Sequence, residues 1–327
     1  MSYMNPLSRR DALRYGVLAG AGLALGRLPL NAIQLDALHL NALQLSQLPL
    51  VTKPIPSTGE QIPVIGTGTN RYSTTESERI AQLTEVLKTI ADRGGKVVDT
   101  ARSYGSSEVV IGEALRRNGN RDSLFIATKF SIGGGGGGGQ DPRAGLELAF
   151  SRLGIDMIDL MMVHNLSGTD TLMPIMRELK QAGRFRYLGV STSSDNAYGR
   201  LEDLMRREPL DFIQVDYSIG NRTAAERILP LAQERGMAVM LNVPFGGRGG
   251  TVLQEVGDRP IPAWAAEFDA TTWPQIFLKY LVSHPAVTVA IPGTTQVAHA
   301  IDNNAAARGR MPDAAMRRRI EQFYDAL

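Results

Sequence analysis

From residue 64 onward, short apolar segments alternate with longer amphipathic ones, and this alternation constrains the fold more than any other sequence feature. Eight segments are typical of short buried strands: residues 64–67, 96–99, 124–128, 158–163, 186–190, 212–215, 237–241 and 287–291. Helix-like segments lie between and after them: residues 76–93, 107–117, 142–153, 170–182, 196–207, 223–235, 272–283, 296–307 and 313–325. Alternating strands and helices favour a parallel sheet. The pattern predicts an α/β fold, a (β/α)8 TIM barrel rather than an open sheet, with a C-terminal helix.

The segment just before the barrel is a candidate hairpin. Residues 55–63 contain the turn-forming pair Thr58-Gly59 between two short apolar arms, which is typical of a β-hairpin. We expect these arms to plug the bottom of the barrel. The barrel domain is therefore predicted to cover residues 54–327.

The composition agrees with one globular barrel. The 327 residues are 43% hydrophobic and 21% charged, with a formal net charge of +2. Arginine runs at 116–117, 206–207 and 317–319 fall in separate predicted helices, so we interpret them as solvated faces and expect no nucleic-acid partner. The absence of cysteine excludes disulfides, thiolate ligands and a cysteine nucleophile. The four histidines show no metal-ligand spacing, and we expect no metal site.

The N-terminus has the features of an export signal. Ser8-Arg9-Arg10 precedes an apolar run over residues 15–25, which resembles a twin-arginine signal, and we assign it to residues 1–27. This predicts contact with export machinery at the membrane and a periplasmic location, or a cytoplasmic one if the signal does not function. The alternatives are an amphipathic leader helix or an incidental arginine pair. The run is short for a membrane span, which needs about 20 apolar residues, and cleavage stays open.

Residues 28–53 form a separate low-complexity segment. Leucine or isoleucine recurs there with a period of five residues, which fits neither a helix nor a strand well. We interpret the segment as a leucine-rich tether without an assigned function.

Three successive predicted strands end in polar side chains. Asp99 ends one strand, Lys129 follows the next, and His164 follows the third. An ionised carboxylate that leaves water needs a paired cation or several donors, and the carboxyl ends of barrel strands are where active sites lie. We therefore expect these side chains to meet, together with Tyr104 from the loop after Asp99.

The motifs around these residues carry a specific resemblance. DTARSYGSSEVVIGEAL at 99–115, ATKF at 127–130 and IDLMMVHN at 158–165 resemble successive motifs of the aldo-keto reductase superfamily. The resemblance implies a nicotinamide-dependent reduction of an aldehyde or ketone, with a catalytic tetrad of Asp99, Tyr104, Lys129 and His164. Each residue alone could have an ordinary structural role.

The chemistry implied for the tetrad is proton donation to a carbonyl oxygen. Tyr104 would be the acid, and the nearby Lys129 ammonium would lower the pKa of Tyr104 towards the working pH. Asp99 would hold Lys129 in place, and His164 would orient the carbonyl oxygen and help to stabilise its developing charge.

The same resemblance implies a dinucleotide site. Ser191 and Thr192 match a pair that binds the nicotinamide carboxamide, although the family usually has asparagine at the position of Thr192. Gln214 is expected to bind the carboxamide, and Tyr217 to stack on the nicotinamide ring or to be a core residue at a strand end. Further cofactor contacts are assigned to Pro244 and Gly246, in a long connection over 244–271 that is typical of a binding loop or lid.

The last cofactor motif lies near the C-terminus. The residues matched there to phosphate and adenosine contacts are Gly293, Thr294, Thr295, His299, Asp302 and Asn303. The basic residues that the family frequently has are absent at Gly293 and His299, which weakens the case for NADPH over NADH. We expect NADPH, with NADH as the alternative.

Other readings of the chain remain. The glycine run over 133–139 is interpreted as a flexible loop beside the mouth of the barrel, because glycines are costly to order. The alternative function is a nicotinamide-binding redox sensor or partner-binding barrel with little turnover. A serine hydrolase is disfavoured, because G-x-S-x-G is absent. We expect a monomer that acts on a small carbonyl compound.

Overall fold

The computed structural model describes residues 45–133, 141–247 and 250–327. The predicted export signal over 1–27, the predicted tether as far as residue 44 and residues 134–139 of the glycine run lie outside the described residues. Leu50 and Val51, from the last part of the predicted tether, contact the barrel domain. Val51 N donates to the carbonyl of Ala307 at 2.7 Å, and Leu50 forms an antiparallel bridge with Arg308.

A hairpin plugs the amino-terminal end of the barrel, as predicted. Its strands β1 (Thr52–Pro54) and β2 (Gln61–Pro63) pair antiparallel. Ile55 and Ile62 are almost fully buried and pack against Phe125 and Phe212 inside the barrel. Burying such side chains stabilises the fold by about 1.5–3 kcal/mol each. Thr52 and Lys53 of the first strand lie within the segment that we had assigned to the tether, whereas Pro54 lies in the predicted barrel domain.

Eight parallel strands follow the hairpin, and their order in the sheet is their order in the sequence. They are β3 (Thr67–Gly68), β4 (Val97–Asp99), β5 (Phe125–Phe130), β6 (Ile158–Val163), β7 (Phe185–Ser191), β8 (Phe212–Asp216), β9 (Ala238–Asn242) and β10 (Val289–Ala290). The first and last strands meet, because Gly66 N donates to the carbonyl of Ala290 at 2.9 Å. Parallel bridges join Ile65 to Ala290 and Gly68 to Gly293. The predicted (β/α)8 barrel is confirmed.

The helices pack around this sheet. They are α1 (Ser77–Asp92), α2 (Ser107–Asn118), α3 (Pro142–Leu153), α4 (Thr169–Gln181), α5 (Tyr198–Arg207), α6 (Ala224–Glu234), α7 (Val252–Val256), α8 (Trp273–Val282), α9 (Val297–Ala305) and α10 (Ala314–Asp325). Local capping defines some of their ends. The side chain of Asp141 accepts from Arg143 N before α3, and Gly154 ends that helix with φ of 65°. The short helix α7 and a 3-10 segment, Ala263–Phe268, lie in the long connection and were not predicted.

Alternation along the strands separates two apolar layers. Phe212 on β8 belongs to the cluster inside the barrel, whereas Ile213 and Val215 belong to the larger cluster between strands and helices. Polar side chains at the carboxyl ends of the strands are thereby collected at one edge of the barrel.

No described helix is long and apolar enough to cross a membrane. Within the same residues, no group of three or more histidine, aspartate or glutamate side chains could hold a metal ion.

Candidate active site

Asp99 and Lys129 form a buried ion pair at the carboxyl edge of the barrel. Lys129 Nζ donates to Asp99 Oδ2 at 2.6 Å and to the carbonyl of Thr100 at 2.8 Å. Gln214 Nε2 donates to the other carboxylate oxygen, Asp99 Oδ1, at 2.9 Å. The exposed fractions of the two side chains are 0% for Lys129 and 3% for Asp99. The pair is therefore desolvated but hydrogen-bonded at both carboxylate oxygens.

Tyr104 lies beside this pair and beside His164. Its loop begins with the hydrogen bond from Tyr104 N to the carbonyl of Ala101 at 3.0 Å. Lys129 Nζ lies 5.4 Å from the centroid of the Tyr104 ring. The rings of Tyr104 and His164 meet edge to face, with centroids 5.8 Å apart. The structure thus brings together all four residues that the sequence assigned to the tetrad.

The pKa of Tyr104 differs from our expectation. The Lys129 ammonium lowers this pKa, as predicted, and is the largest single influence on it. Burial and the Asp99 carboxylate raise the pKa, and together they place it above its ordinary value. The sequence-based prediction of a lowered pKa is therefore wrong for this structure. The phenol is protonated at neutral pH and is able to donate a proton.

His164 is held as a neutral imidazole. Burial, followed by the charge of Lys129, lowers the pKa of His164 to about 4. The Nδ1 atom lies 3.1 Å from Ser103 Oγ, where either atom can be the donor. Immediately after His164 the backbone enters the left-handed region, with φ of 52° at Asn165 and 56° at Leu166. Such conformations are uncommon for residues other than glycine and often occur at functional sites.

Ser191 and Thr192, at the end of β7, are close to the tetrad. Ser191 Oγ makes long hydrogen bonds, donating to the carbonyl of Val163 and accepting from Asn165 N, both at 3.4 Å. The hydroxyl of Thr192 is engaged locally, because Ser194 N donates to Thr192 Oγ1 at 3.2 Å.

Tyr217 is not part of this group. Its side chain is 2% exposed and lies in the layer between strands and helices. The ring stacks on Tyr280 with centroids 6.3 Å apart, and its hydroxyl accepts from Arg317 at 3.2 Å. This position does not support the stacking on nicotinamide that we expected, and it agrees with the alternative of a core residue at a strand end.

Pro244 and Gly246 form a turn after β9. Gly246 N donates to the carbonyl of Val243 at 2.8 Å, and Gly246 has φ of 92°. Proline presets the backbone for the inner position of such a turn, and glycine tolerates the positive φ. Both residues therefore follow directly on the carboxyl end of a barrel strand.

Gly293, Thr294 and Thr295 connect β10 to α9. Thr294 Oγ1 accepts from Gln296 N at 3.1 Å, and α9 begins without a side-chain cap. The first backbone N–H groups of α9 are therefore not capped by the residue before it. His299 lies in the first turn of α9 and is exposed.

Asp302 and Asn303 lie on α9, where Asp302 is half-buried and Asn303 is buried. The carboxylate of Asp302 accepts from Thr272 Oγ1 at 3.0 Å and from Gln275 Nε2 at 2.7 Å. Asn303 is 7% exposed. Asp302 thus anchors the start of α8, and its contact with the adenosine stays a prediction.

Asn242 and Ser103 were missed by the sequence analysis. Asn242 ends β9, and its Nδ2 donates to the carbonyl of Thr192 at 3.0 Å and to Gln214 Oε1 at 3.5 Å. The signal was a polar residue at the end of the apolar strand AVMLN, the same signal that identified Asp99. Ser103 is a loop serine with no such signal.

A cavity lies at the opposite end of the barrel. Its volume is about 580 Å³, and Asp159, Arg121 and Arg186 are among its lining residues. Both arginines bind the Asp159 carboxylate at 2.9 Å. Because the charge of the Asp159 carboxylate is paired with these arginines, the tetrad at the carboxyl edge remains the candidate active site.

Comparison with known proteins identifies related chains. The model of the Aldo/keto reductase family matches residues 64–324. A curated relative, aldo-keto reductase str7 of Strobilurus tenacellus, is 29% identical over 264 residues, which cover 68% of this chain and 76% of that protein.

Solved structures share the fold. An aldo-keto reductase from Klebsiella pneumoniae in complex with NADPH has a TM-score of 0.66 and 23% identity, covering 85% of this chain and 96% of that one. The holo form of aldo-keto reductase AKR11C1 from Bacillus halodurans has a TM-score of 0.64 and 23% identity, covering 84% and 96%. At this identity, the likeness supports the barrel fold.

Proposed function

The chain belongs to the aldo/keto reductase family, and on this premise we propose that it reduces an aldehyde or ketone to an alcohol with a reduced nicotinamide dinucleotide. The observation that carries the proposal is the grouping of Tyr104 with the buried Lys129–Asp99 pair and with His164. This grouping offers a proton donor, a fixed positive charge and a neutral imidazole at one edge of the barrel.

We assign the cofactor as NADPH, with NADH as the alternative. When bound, the reduced nicotinamide supplies a hydride to the carbonyl carbon. Two features of the chain fit such a group: the buried side-chain oxygen of Asn242 without a partner among the described residues, and the α9 N-terminus without a side-chain cap, where phosphate binding is common. The NADPH complex of the Klebsiella pneumoniae reductase supports the assignment by family membership.

Each tetrad residue has a separate role in this proposal. Tyr104 donates its hydroxyl proton to the carbonyl oxygen, and its raised pKa keeps that proton in place at neutral pH. Lys129 lowers the pKa of Tyr104 relative to burial alone and stabilises the charge left on the phenolate. Asp99 is a positioning residue, because it holds Lys129. His164 remains neutral and can donate one ring N–H to the oxygen.

The experiment is an activity screen on a panel of aldehydes and ketones. Purified protein is mixed with NADPH or NADH and each carbonyl, and the absorbance of the reduced nicotinamide is followed, while calorimetry measures dinucleotide binding. The proposal predicts turnover of some member of the panel with at least one of the two dinucleotides. Dinucleotide binding without turnover on the whole panel would favour a sensor and contradict the proposal.

We also propose that the protein is exported folded with its dinucleotide bound. The support is the sequence Ser8-Arg9-Arg10 ahead of an apolar run. A twin-arginine route carries folded proteins, so a cofactor made in the cytoplasm could travel with the chain.

A further inference from the structure

The side-chain oxygen of Asn242 is buried and has no hydrogen-bond partner in the described part of the chain. The residue ends β9 at the carboxyl edge of the barrel. Native proteins seldom leave a buried amide oxygen without a donor, because losing its hydrogen bond to water is unfavourable. This atom is therefore a candidate acceptor for a donor that does not belong to the protein.

The orientation of this amide is determined by its neighbours. Asn242 Nδ2 donates to the carbonyl of Thr192 at 3.0 Å and to Gln214 Oε1 at 3.5 Å. Both partners are acceptors, so exchanging Oδ1 and Nδ2 would set an oxygen against two oxygens. Oδ1 must face away from Thr192 and Gln214.

The amide N–H of Gln214 and the hydroxyl of Thr192 are already hydrogen-bonded. Gln214 Nε2 donates to Asp99 Oδ1 at 2.9 Å. Thr192 Oγ1 donates to the carbonyl of Ser194 at 3.3 Å and accepts from Ser194 N at 3.2 Å. Among Asn242, Gln214 and Thr192, Asn242 is the residue whose side-chain oxygen has no donor in the described part of the chain.

The residue after Asn242 has a strained backbone. Val243 has φ of 40° and is 38% exposed. A positive φ is a true outlier for a β-branched side chain, and strain of this kind persists where the surrounding structure imposes it, often at ligand sites. Here β9 precedes Val243 and the turn closed by Gly246 follows it. This is a second feature, independent of the unpaired oxygen, that marks the segment as a binding element.

We propose that Asn242 Oδ1 accepts a hydrogen bond from the amide N–H of the nicotinamide carboxamide. The inference rests on the proposed function and deepens it. The hydroxyl of Thr192 is engaged with Ser194. Asn242, whose Nδ2 is bonded to the Thr192 carbonyl, supplies an amide oxygen at this edge of the barrel from a different strand.

The test compares ligands that differ in this amide. Calorimetry gives dissociation constants for NADP⁺, for its 3-acetylpyridine analogue, which has a methyl ketone in place of the carboxamide, and for 2′-phospho-ADP-ribose, which lacks the nicotinamide. The ketone has no N–H to donate to Oδ1. The wild-type protein is expected to prefer NADP⁺ to the analogue. In Asn242→Ala this preference is expected to fall by about fivefold to tenfold, the contribution of one neutral hydrogen bond.

Two controls keep the test interpretable. Asn120 also has a buried side-chain oxygen without a partner among the described residues, but it precedes β5 at the opposite end of the barrel, so Asn120→Ala should leave the preference unchanged. Asn242→Leu keeps the side-chain volume and replaces the alanine variant if that one does not fold. Unchanged binding of 2′-phospho-ADP-ribose identifies a folded variant.

The outcomes separate this inference from the proposed function. If folded Asn242 variants keep the wild-type preference for NADP⁺ over the ketone, the hydrogen bond is not made. The inference is then overturned, while the proposed function still stands. If the wild-type protein binds neither NADP⁺ nor NADPH, nor their forms without the 2′-phosphate, the proposed function fails and the inference fails with it.

Discussion

Lys129 Nζ lies 2.6 Å from Asp99 Oδ2, and neither side chain has more than 3% of its surface exposed. The ammonium also donates to the carbonyl of Thr100, and the carboxylate accepts from Gln214. Burial raises the pKa of Asp99, while Lys129 and Gln214 oppose this rise. The pair therefore places a cation beside Tyr104 without leaving either charge unpaired.

Removing one partner of this pair should destabilise the protein strongly. Lys129→Met leaves Asp99 buried without a cation and is expected to cost about 3–5 kcal/mol of unfolding free energy. The double variant Lys129→Met/Asp99→Leu should cost less than the sum of the single variants, because no buried charge remains. Urea unfolding of the wild-type protein, the two single variants and the double variant gives the four free energies of a double-mutant cycle. Lys88→Met, in an exposed pair with Asp92, is the control and should change stability by less than about 1 kcal/mol. If the destabilisation of the double variant equalled the sum of the two single destabilisations, the proposed coupling between the two residues would be contradicted.

The protein should lose a stabilising contribution from His284 as the pH falls. Burial, followed by the charges of Arg317 and Lys53, lowers the pKa of His284 to about 4, and its Nδ1 accepts from Ala286 N at 3.2 Å. The unfolded chain binds a proton near pH 6.5, whereas the folded chain does not bind it until about pH 4. The contribution is therefore complete above pH 6.5 and is lost as the pH falls towards 4.

The measurement is urea unfolding at several pH values between 7 and 4. The stability of His284→Gln should decrease less with falling pH than that of the wild-type protein. The slopes of unfolding free energy against pH should differ by an amount that corresponds to up to one bound proton. His299→Gln, at an exposed histidine of α9, is the matched control. Parallel pH profiles for His284→Gln and the wild-type protein would rule out this role for His284.

His299→Arg should increase the preference for NADPH over NADH. His299 lies exposed in the first turn of α9, and arginine offers a permanently charged fork for the 2′-phosphate. The expected change in the ratio of dissociation constants is about fivefold, for an exposed pair worth roughly 1 kcal/mol. Calorimetric titration of both dinucleotides into the wild-type protein, His299→Arg and His299→Gln gives the ratios. A ratio that is the same in all three proteins would show that residue 299 does not face this phosphate.

Replacing the arginine pair should retain the protein in the cytoplasm. Arg9→Lys/Arg10→Lys keeps the positive charge but removes the twin arginines that the export route reads. Cells that express each form are fractionated, and each fraction is assayed for protein and bound dinucleotide. We expect wild-type protein outside the cytoplasm with dinucleotide bound. Equal cytoplasmic retention of both forms would refute export.

The sequence predicted the barrel and the tetrad because both depend on local patterns. Apolar periodicity indicates strands and helices, and parallel strands bring Asp99, Lys129 and His164 to one edge. Tyr217 was assigned to the site by resemblance, although alternation along β8 indicates its position: Ile213 and Val215 face the outer layer, and so does Tyr217.

Features that depend on distant contacts could not be predicted. Asp302 is bound by Thr272, which precedes α8, and by Gln275 on α8. The direction of the shift in the Tyr104 pKa depends on the balance between the Lys129 charge, which lowers the pKa, and burial, which raises it. Neither spacing nor composition gives that balance. The first hairpin arm, Thr52–Pro54, is exposed or partly exposed and so lacks the apolar alternation that identifies a strand.

The most direct test of the account is hydride transfer by Tyr104→Phe in a single turnover. The substitution keeps the ring beside Lys129 and His164 but removes the hydroxyl proton. Tyr187→Phe is the control, since that hydroxyl bonds Glu60 and Thr58 at the hairpin end of the barrel. We expect a rate lower by about 10²–10⁴-fold for Tyr104→Phe, with unchanged dinucleotide affinity and an unaffected control. A Tyr104→Phe protein that transfers hydride at the wild-type rate would contradict the assignment of Tyr104 as the proton donor.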